Sequence, residues 1–284
     1  MLRRWHIRSG ALLFGVIWMS MYEVYSNLRS CIEDVEKGGS LDAHIALYAL
    51  SHHDEVPELS IEELARACNT SPATISRFCR RVNGSSFRSF KEQVDDFNAW
   101  LQRETTEARA HKQIDIPWYF DIVETSLLET KRLLTEDRLE QAVDWLLDAQ
   151  NVYVYGSSFS NLAARSLCEK LSRVNRLCFS FSSVKGQETS LCLLQPDDLT
   201  IFVSFSGKTS HIFNLYVEAK RRGCRVIWIS SNMAFDNNGA RELLLPVSAE
   251  SLSEYSTALV EGMSLQSAVN ALYISCANRL RAQR

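Results

Sequence analysis

Hydrophobic residues in the first hundred positions recur at three- and four-residue spacing, which is the period of an amphipathic helix. Leu28, Ile32 and Val35 form one such series. A Gly-Gly-Ser sequence at Gly38–Ser40 then predicts a break before the next helix. Because apolar and polar residues do not alternate here, the region from about Tyr22 to Trp100 is predicted to be all-helical.

From Asn151 the pattern changes to short β-branched and aromatic runs, separated by segments of helical length. Five runs are predicted to be strands: Val152–Tyr155, Leu177–Phe181, Leu199–Phe205, Val226–Ser230 and Leu243–Val247. Strands that alternate with helices at this spacing are typical of a parallel sheet with helices on both faces. The fold class predicted is therefore α + α/β, with a helical domain followed by a doubly wound parallel-sheet domain.

Helices are predicted before, within and after the sheet. They are Trp118–Leu134, Glu136–Ala149, Asn161–Val174, Thr209–Arg222 and Leu259–Leu280. Thr135 is placed as the N-cap of the second helix. The last helix carries an apolar face made of Leu265, Ala268, Val269, Leu272 and Cys276.

The chain of 284 residues is long enough for two domains, at about 150 residues each. Residues 101–117 are polar, lack an apolar face and end in Pro117, so they are predicted to be a linker or an exposed helix. The expected organisation is an N-terminal extension at 1–21, a helical domain at 22–100, the linker, and an α/β domain at 118–284.

Residues 1–21 begin with basic residues followed by the apolar run Ala11–Met19, which is the layout of a secretory signal. The run is shorter than the roughly 20 residues that span a bilayer, and no small-residue cleavage pattern follows it. We interpret this segment as a variable extension or an upstream translation start, and expect no membrane association.

Composition narrows the function classes. With 46% hydrophobic and 23% charged residues, the chain is neither disordered, collagen-like nor a multi-span membrane protein. The net charge of −3 means that any surface binding a polyanion must be local. The eight cysteines include no Cys-x-x-Cys pair and do not cluster with histidines, so we expect free thiols, a cytoplasmic location, and neither a metal nor a cofactor.

Residues 60–94 predict two helices joined by a tight turn. Ser60 and Glu63 form a capping box for the first helix, and Ser71 and Pro72 begin the second. This layout is typical of a helix-turn-helix, whose second helix enters the major groove of DNA.

The outward face of the second helix carries side chains suited to DNA. Small side chains at its start permit close approach, hydroxyls and one arginine reach base edges, and later arginines pair with phosphates. The candidate DNA-binding residues are Ser71, Ala73, Thr74, Ser76, Arg77, Arg80 and Arg81. Residues 60–91 contain six basic and two acidic residues, a net charge of +4 in an acidic chain. The alternative is a plain three-helix bundle with a solvated basic face.

The sequence SPATISRFCRRV at Ser71–Val82 resembles the recognition helix of the RpiR/MurR family of bacterial transcriptional regulators. The preceding SIEELA at Ser60–Ala65 is similar to the first helix of that motif. Asn83–Ser85 differs from the Gly-Phe that usually follows the recognition helix in the family. The resemblance implies a DNA-binding regulator.

Two serine-rich segments follow predicted strands: VYGSSFSN at 154–161 and VSFSGKTS at 203–210. A helix that starts at the carboxyl edge of a parallel sheet offers free N–H groups and a positive dipole end to an anion. Gly156 and Gly207 allow close backbone approach. Neither segment has a Walker A or G-x-G-x-x-G pattern, which disfavours nucleotides. Serines that only cap their helices are the alternative.

Both segments are similar to loops of the sugar isomerase (SIS) domain, which follows the helix-turn-helix in RpiR/MurR regulators. By this resemblance Ser204, Ser206 and Thr209 bind the phosphate of a phosphosugar, and Ser158 and Ser160 complete the site.

Four positions depart from the SIS pattern. Ser158 replaces the second family glycine of the first loop. In the last helix Asn270 stands where Asp is common, and Glu261-Gly262 stand roughly where Ser-Arg is common.

The sequence therefore predicts a non-enzymatic transcriptional regulator of carbohydrate metabolism that binds DNA and senses a phosphorylated sugar. A phosphosugar isomerase with a helical accessory domain is the alternative, with Glu188, Lys208 and His211 near the pocket. An interaction protein with an inactive pocket is a third reading. A homodimer or higher homo-oligomer is expected, because paired half-sites raise DNA affinity and the last helix has a long apolar face.

Overall fold

The structure is a computed structural model that describes residues 24–25, 27–29, 31–32, 41–83, 86–110, 115–236, 239–252 and 258–282. The chain divides into two compact units, and the boundary lies between Arg109 and Ala110, inside the segment predicted to be a linker. The predicted N-terminal extension and the break at Gly38–Ser40 lie outside the described residues.

The N-terminal unit is helical wherever it has regular structure in its described part, as predicted. Its helices are α1 (Leu41–Ser51), α2 (Ile61–Ala67), α3 (Pro72–Asn83) and α4 (Phe87–Ala110). Their apolar faces meet in one core, in which Ile45, Leu64, Ile75, Phe78 and Phe90 are fully buried. Helix α4 continues through residues 101–110, so this part of the predicted linker is a helix.

The C-terminal unit contains a parallel sheet in the order β2-β1-β3-β4-β5. The strands are β1 (Val152–Gly156), β2 (Cys178–Ser180), β3 (Leu199–Val203), β4 (Arg225–Ser230) and β5 (Glu242–Pro246). Each lies within one or two residues of its predicted position. β1, β3 and β4 carry β-branched and aromatic side chains because a strand covered on both faces has no polar side.

Helices surround the sheet: α5 (Ile116–Leu133), α6 (Glu136–Asp148), α7 (Phe159–Ser172), α8 (Val184–Ser190), α9 (Ser210–Arg221) and α10 (Leu259–Ala282). Pro117 does not end a linker as predicted, because it lies in the first turn of α5 after the N-cap Asp115. A proline is tolerated there since its missing N–H has no intrahelical partner. Thr135 is the N-cap of α6, but its side chain makes no capping hydrogen bond.

The sheet separates two hydrophobic cores, which confirms the doubly wound arrangement. On one face, α6, α7 and α10 bury residues such as Val143, Leu167 and Leu272. On the other face, α9 packs against an aromatic cluster that includes Phe202 and Trp228. The predicted apolar face of α10 lies in the first of these cores, so the expectation that it serves dimerisation is wrong: this face is used within its own unit.

Candidate functional site

The helix-turn-helix is held at both helix starts by the predicted caps. Ser60 Oγ accepts a hydrogen bond from the Glu63 backbone N–H at 3.2 Å, and the Ser60 N–H donates to Glu63 Oε2 at 2.8 Å. The Ser60 hydroxyl, which donates to Glu63 Oε2 at 2.7 Å, and the Ser60 N–H together hold the pKa of Glu63 below its usual value. In the turn Asn69 adopts a φ of 49°. The Thr74 N–H then donates to Ser71 Oγ at 3.2 Å, which fixes the start of α3.

Helix α3 has the two faces that the sequence predicts. Ile75, Phe78 and Cys79 are fully buried, and the Phe78 ring packs edge-on against Phe90 with centroids 6.1 Å apart. The candidate DNA-binding side chains lie away from this core: Ser71, Ala73, Arg77, Arg80 and Arg81 are exposed, and Thr74 and Ser76 are half-buried. A row of hydroxyls and guanidinium groups is therefore available along one side of α3.

Arg81 differs from the other candidates because it is bound within the unit. Its Nε donates to Asp42 Oδ2 at 2.8 Å, and its Nη2 contacts Asp42 Oδ1. A phosphate must compete with this carboxylate for Arg81. The pair joins α1 to α3 across 39 positions of sequence, which is why the local motif gave no sign of it.

The two serine-rich loops leave the sheet side by side. β1 and β3 are adjacent and parallel, and Gly156 at the end of β1 pairs with Val203 at the end of β3. Neighbouring strands lie about 4.8 Å apart, so the loops start within this distance of each other. In this strand order the connections diverge at β1 and β3, which is where a doubly wound sheet forms its ligand crevice.

The five candidate phosphosugar residues lie in these loops. Ser204 is buried, Ser158, Ser160 and Thr209 are half-buried, and Ser206 is exposed. Ser158 and Thr209 are the N-cap residues of α7 and α9, yet neither side chain makes a capping hydrogen bond. The first N–H groups of α9 are consequently open to an anion, whereas in α7 the N–H groups of Ser160 and Asn161 already donate to the carbonyl oxygens of Ser157 and Ser158 at 3.0 Å.

Backbone geometry explains the glycines of both loops. A Cβ on Gly156 would lie 2.7 Å from the carbonyl oxygen of Ser160, so only glycine lets α7 approach β1 this closely. Gly207 has a φ of +63°, and a Cβ there would lie 2.3 Å from Cε2 of Phe235. Ser158 adopts φ 53° and ψ −131°, a conformation natural to glycine, although a serine stands there.

A buried polar network that sequence analysis missed braces the first loop. Gln187 Nε2 donates to the carbonyl oxygens of Gly156 and Phe181 at 2.8 and 2.9 Å. Asn161 Nδ2 donates to the same two carbonyls, each at 3.0 Å. Gln187 Oε1 lies 3.0 Å from Nε2 of His211. Asn161 follows Ser160 and Gln187 precedes Glu188 in the sequence, and no local pattern distinguishes either amide from a surface residue.

Glu188 and His211, two candidates for a catalytic base, also lie near this network. His211 Nδ1 lies 3.8 Å from Glu188 Oε1. Burial lowers the pKa of His211, and the Glu188 carboxylate opposes this only partly. The imidazole is therefore neutral at pH 7 and chemically able to accept a proton. Lys208 is exposed on the second loop.

Two family models match the chain. Residues 31–99 match the helix-turn-helix domain of the rpiR family, and residues 145–275 match the SIS domain. The chain belongs to the rpiR family. Together the two matches cover more than two thirds of this rpiR-family protein and confirm the predicted pairing of a DNA-binding module with a SIS domain.

Relatives and solved structures agree with the two domain matches. An HTH-type transcriptional regulator of Caldanaerobacter subterraneus is 28% identical over 84% of this chain and 86% of its own length. Another, YbbH of Bacillus subtilis, is 25% identical over 64% of this chain and 66% of its own length.

Among solved structures, the NanR protein of Vibrio vulnificus complexed with ManNAc-6P has a TM-score of 0.51 at 21% identity, covering 90% of this chain and 92% of NanR. The sugar isomerase domain of an RpiR transcription factor from Sphaerobacter thermophilus has a TM-score of 0.53 at 21% identity, covering 59% and 93%. These likenesses show the fold.

The described residues contain neither a cluster of metal ligands nor a membrane-spanning helix. No group of three or more His, Cys, Asp or Glu side chains is placed to hold a metal ion in that part of the chain. Nor does any helix described there have the length and apolar character to cross a membrane.

Proposed function

We propose that this rpiR-family protein is a transcriptional regulator of carbohydrate metabolism that binds DNA through α3 and senses a phosphorylated sugar, without catalysing its conversion. The observation that carries the sensing role is the adjacency of the two loops at β1 and β3, with no side-chain cap at either helix start. This role requires access to the chromosome, so the proposal includes a cytoplasmic location.

The DNA-binding surface proposed is the outward side of α3: Ser71, Ala73, Thr74, Ser76, Arg77, Arg80 and Arg81. Arg77 is the residue proposed to contact a base; this is supported by its exposure in the middle of α3 and by its Nη2, which lies 3.4 Å from Thr74 Oγ1. A guanidinium aligned by a neighbouring hydroxyl suits the two acceptors of guanine in the major groove.

The phosphosugar site proposed consists of Ser158, Ser160, Ser204, Ser206 and Thr209. Serine and threonine hydroxyls together with the start of α9 can bind a phosphate without a cationic side chain. The name of the NanR complex supports the ligand class, since ManNAc-6P is a phosphorylated sugar bound to a protein of similar fold.

An electrophoretic mobility shift assay with DNA from upstream of the gene tests the DNA-binding role. We expect salt-sensitive, sequence-preferring binding, which Arg77→Ala weakens by about 1–3 kcal/mol because a base contact is lost. Arg221→Ala removes another exposed arginine, from α9 of the C-terminal unit, and is the control. Unchanged affinity in Arg77→Ala would show that α3 does not read bases through this residue.

Ser206→Ala tests the sensing role. We expect the variant to bind DNA as the wild type does but to need a higher phosphosugar concentration to change that binding, since a hydroxyl at the phosphate is lost. Dose-response curves of the mobility shift over a panel of phosphosugars provide the measurement. Identical curves for the two proteins would exclude Ser206 from the site.

A phosphosugar isomerase is the second candidate, favoured by the approach of neutral His211 to Glu188. A coupled assay over the same panel distinguishes the two functions. Turnover that is lost in both Glu188→Gln and His211→Asn would establish the enzyme, whereas its absence in the wild type supports the sensor.

A dimer is part of the proposal, and α5 is the surface best suited to form it. Ile116, Phe120 and Leu128 on this helix are 65%, 62% and 59% exposed, and Val123 and Leu127 extend the same apolar surface. Exposed apolar patches of this kind mark association sites. A dimer would present two copies of α3 to two half-sites on DNA.

A further inference from the structure

Helix α10 begins at the same edge of the sheet as the two serine-rich loops. Gln266 Nε2 of α10 donates to Ser166 Oγ of α7 at 3.2 Å, and each is the eighth residue of its helix. At the other end, Arg279 Nη1 of α10 contacts Asp144 Oδ1 at 2.8 Å, close to where α6 ends and β1 starts. The start of α10 is therefore level with the start of α7, the helix whose N-cap is Ser158.

Glu261 lies on the face of α10 that is turned toward the sheet. Residues three and four positions apart share a helix face, so Glu261 is in line with Ser264 and Leu265. Both are buried, and Leu265 belongs to the core under the sheet. Glu261 is one turn nearer the carboxyl edge, which is where the loops after β1 and β3 lie.

The carboxylate of Glu261 has an unmet hydrogen-bonding requirement. Its Oε2 is buried and has no hydrogen-bond partner among the residues that the structure describes, whereas Ser264, the next polar residue on this face, bonds to Ser126. Burial raises the pKa of Glu261, and the N–H groups of Val260 and Glu261 itself lower it only in part. A buried acceptor without a donor is destabilising, and a native structure that keeps one needs an explanation.

We infer that Glu261 accepts a hydrogen bond from the sugar part of the phosphosugar, from a hydroxyl or an ammonium group, and thereby selects among phosphorylated sugars. This inference rests on the proposed function. Phosphate cannot be the partner, because it carries the same charge as the carboxylate and has no donor when fully ionised. The serine-rich loops thus hold the phosphate, and the first turn of α10 reads the sugar.

Isothermal titration of the full-length protein with glucose 6-phosphate, glucosamine 6-phosphate, fructose 6-phosphate, ManNAc-6P and inorganic phosphate tests this. We expect Glu261→Gln to bind the strongest of the sugar phosphates at least tenfold more weakly than the wild type, with its affinity for inorganic phosphate changed by less than twofold. Glu169→Gln, the same substitution at an exposed site in α7, controls for the change in net charge and should leave all affinities unchanged.

Comparison of glucosamine 6-phosphate with glucose 6-phosphate identifies the group that donates to Glu261. A loss for glucosamine 6-phosphate alone indicates an ammonium group, and a loss for glucose 6-phosphate as well indicates a hydroxyl. Unchanged sugar affinity in Glu261→Gln, or an equal loss for inorganic phosphate, overturns the inference while leaving phosphosugar sensing intact. Failure of every sugar to bind the wild type overturns both.

Discussion

At the scale of single residues, the loops after β1 and β3 both contain a backbone conformation that favours glycine, but only one of them has a glycine there. Each contains a residue with positive φ: glycine at position 207 and serine at position 158. Side chains with a Cβ rarely adopt this conformation, and holding one there costs about 1–3 kcal/mol. The first loop therefore stores strain that the second does not, beside the hydroxyl groups proposed to bind phosphate.

Ser158→Gly is expected to stabilise the C-terminal unit by about 1 kcal/mol, because relief of the strain exceeds the added flexibility of glycine in the unfolded chain. Thermal unfolding followed by circular dichroism measures the change. Ser160→Gly is the control: Ser160 lies within α7 without positive φ, so glycine there should cost about 1 kcal/mol. Equal destabilisation by both would contradict the interpretation of Ser158.

At the scale of elements, the loop after β3 is held by the segment that follows β4. Asn232 Nδ2 donates to the Ser206 carbonyl oxygen at 3.1 Å, and Ser231 Oγ donates to that of Phe205 at 2.8 Å. Phe235 fills the space above Gly207 and stacks on Trp228 with ring centroids 4.0 Å apart. The conformation of the proposed phosphate loop is thus fixed by packing from a neighbouring strand.

Gly207→Ala is expected to destabilise the C-terminal unit by about 1–3 kcal/mol and to weaken phosphosugar binding. The new methyl group both strains the backbone and displaces Phe235. Thermal unfolding and the tryptophan emission of the native protein, which includes Trp228, measure the two effects.

Gly262→Ala is the control, because a Cβ at this position in α10 has nothing within 4 Å and alanine favours a helix by about 1 kcal/mol. The two alanine substitutions should therefore shift the unfolding temperature in opposite directions. A stabilised Gly207→Ala would exclude the packing role of Phe235.

The elements that the sequence predicts are those with strong local patterns. β1 and β3 are continuous apolar runs, and α3 has both a cap and a clear apolar face, so each was predicted nearly to its ends. α8, with the sequence VKGQETS, has one apolar residue and no periodicity, and it was not predicted. The pairing of Arg81 with Asp42 and the buried role of Gln187 depend on residues distant in sequence, which no local pattern encodes.

At the scale of the whole molecule, we expect dimerisation to depend on α5, because the apolar face of α10 is buried in the core of its own unit. Leu128→Asp places a charge in the exposed apolar surface of α5, where Leu128 is 59% exposed. We expect the variant to be monomeric in analytical ultracentrifugation and to bind a two-half-site DNA more weakly, with its thermal stability unchanged because the side chain lies at the surface.

Leu193→Asp changes a leucine that is 56% exposed in a different part of the unit, and it should leave the assembly unchanged. A wild type that is itself monomeric at micromolar concentration, or a Leu128→Asp variant that remains dimeric, would remove α5 from the proposed interface.

The ion pair between Arg81 and Asp42 sets how the complex with DNA should respond to ionic strength. Each lysine or arginine that neutralises a DNA phosphate displaces one condensed counterion, and the salt sensitivity of binding counts these events. The Arg81 guanidinium is already paired with the Asp42 carboxylate. If it moves to a DNA phosphate, Asp42 loses its partner, so the number of neutralised charges does not increase. Of the two arginines proposed to pair with phosphates, we therefore expect Arg80 to contribute to the steepness of this dependence, and Arg81 to add to it only if Asp42 is removed.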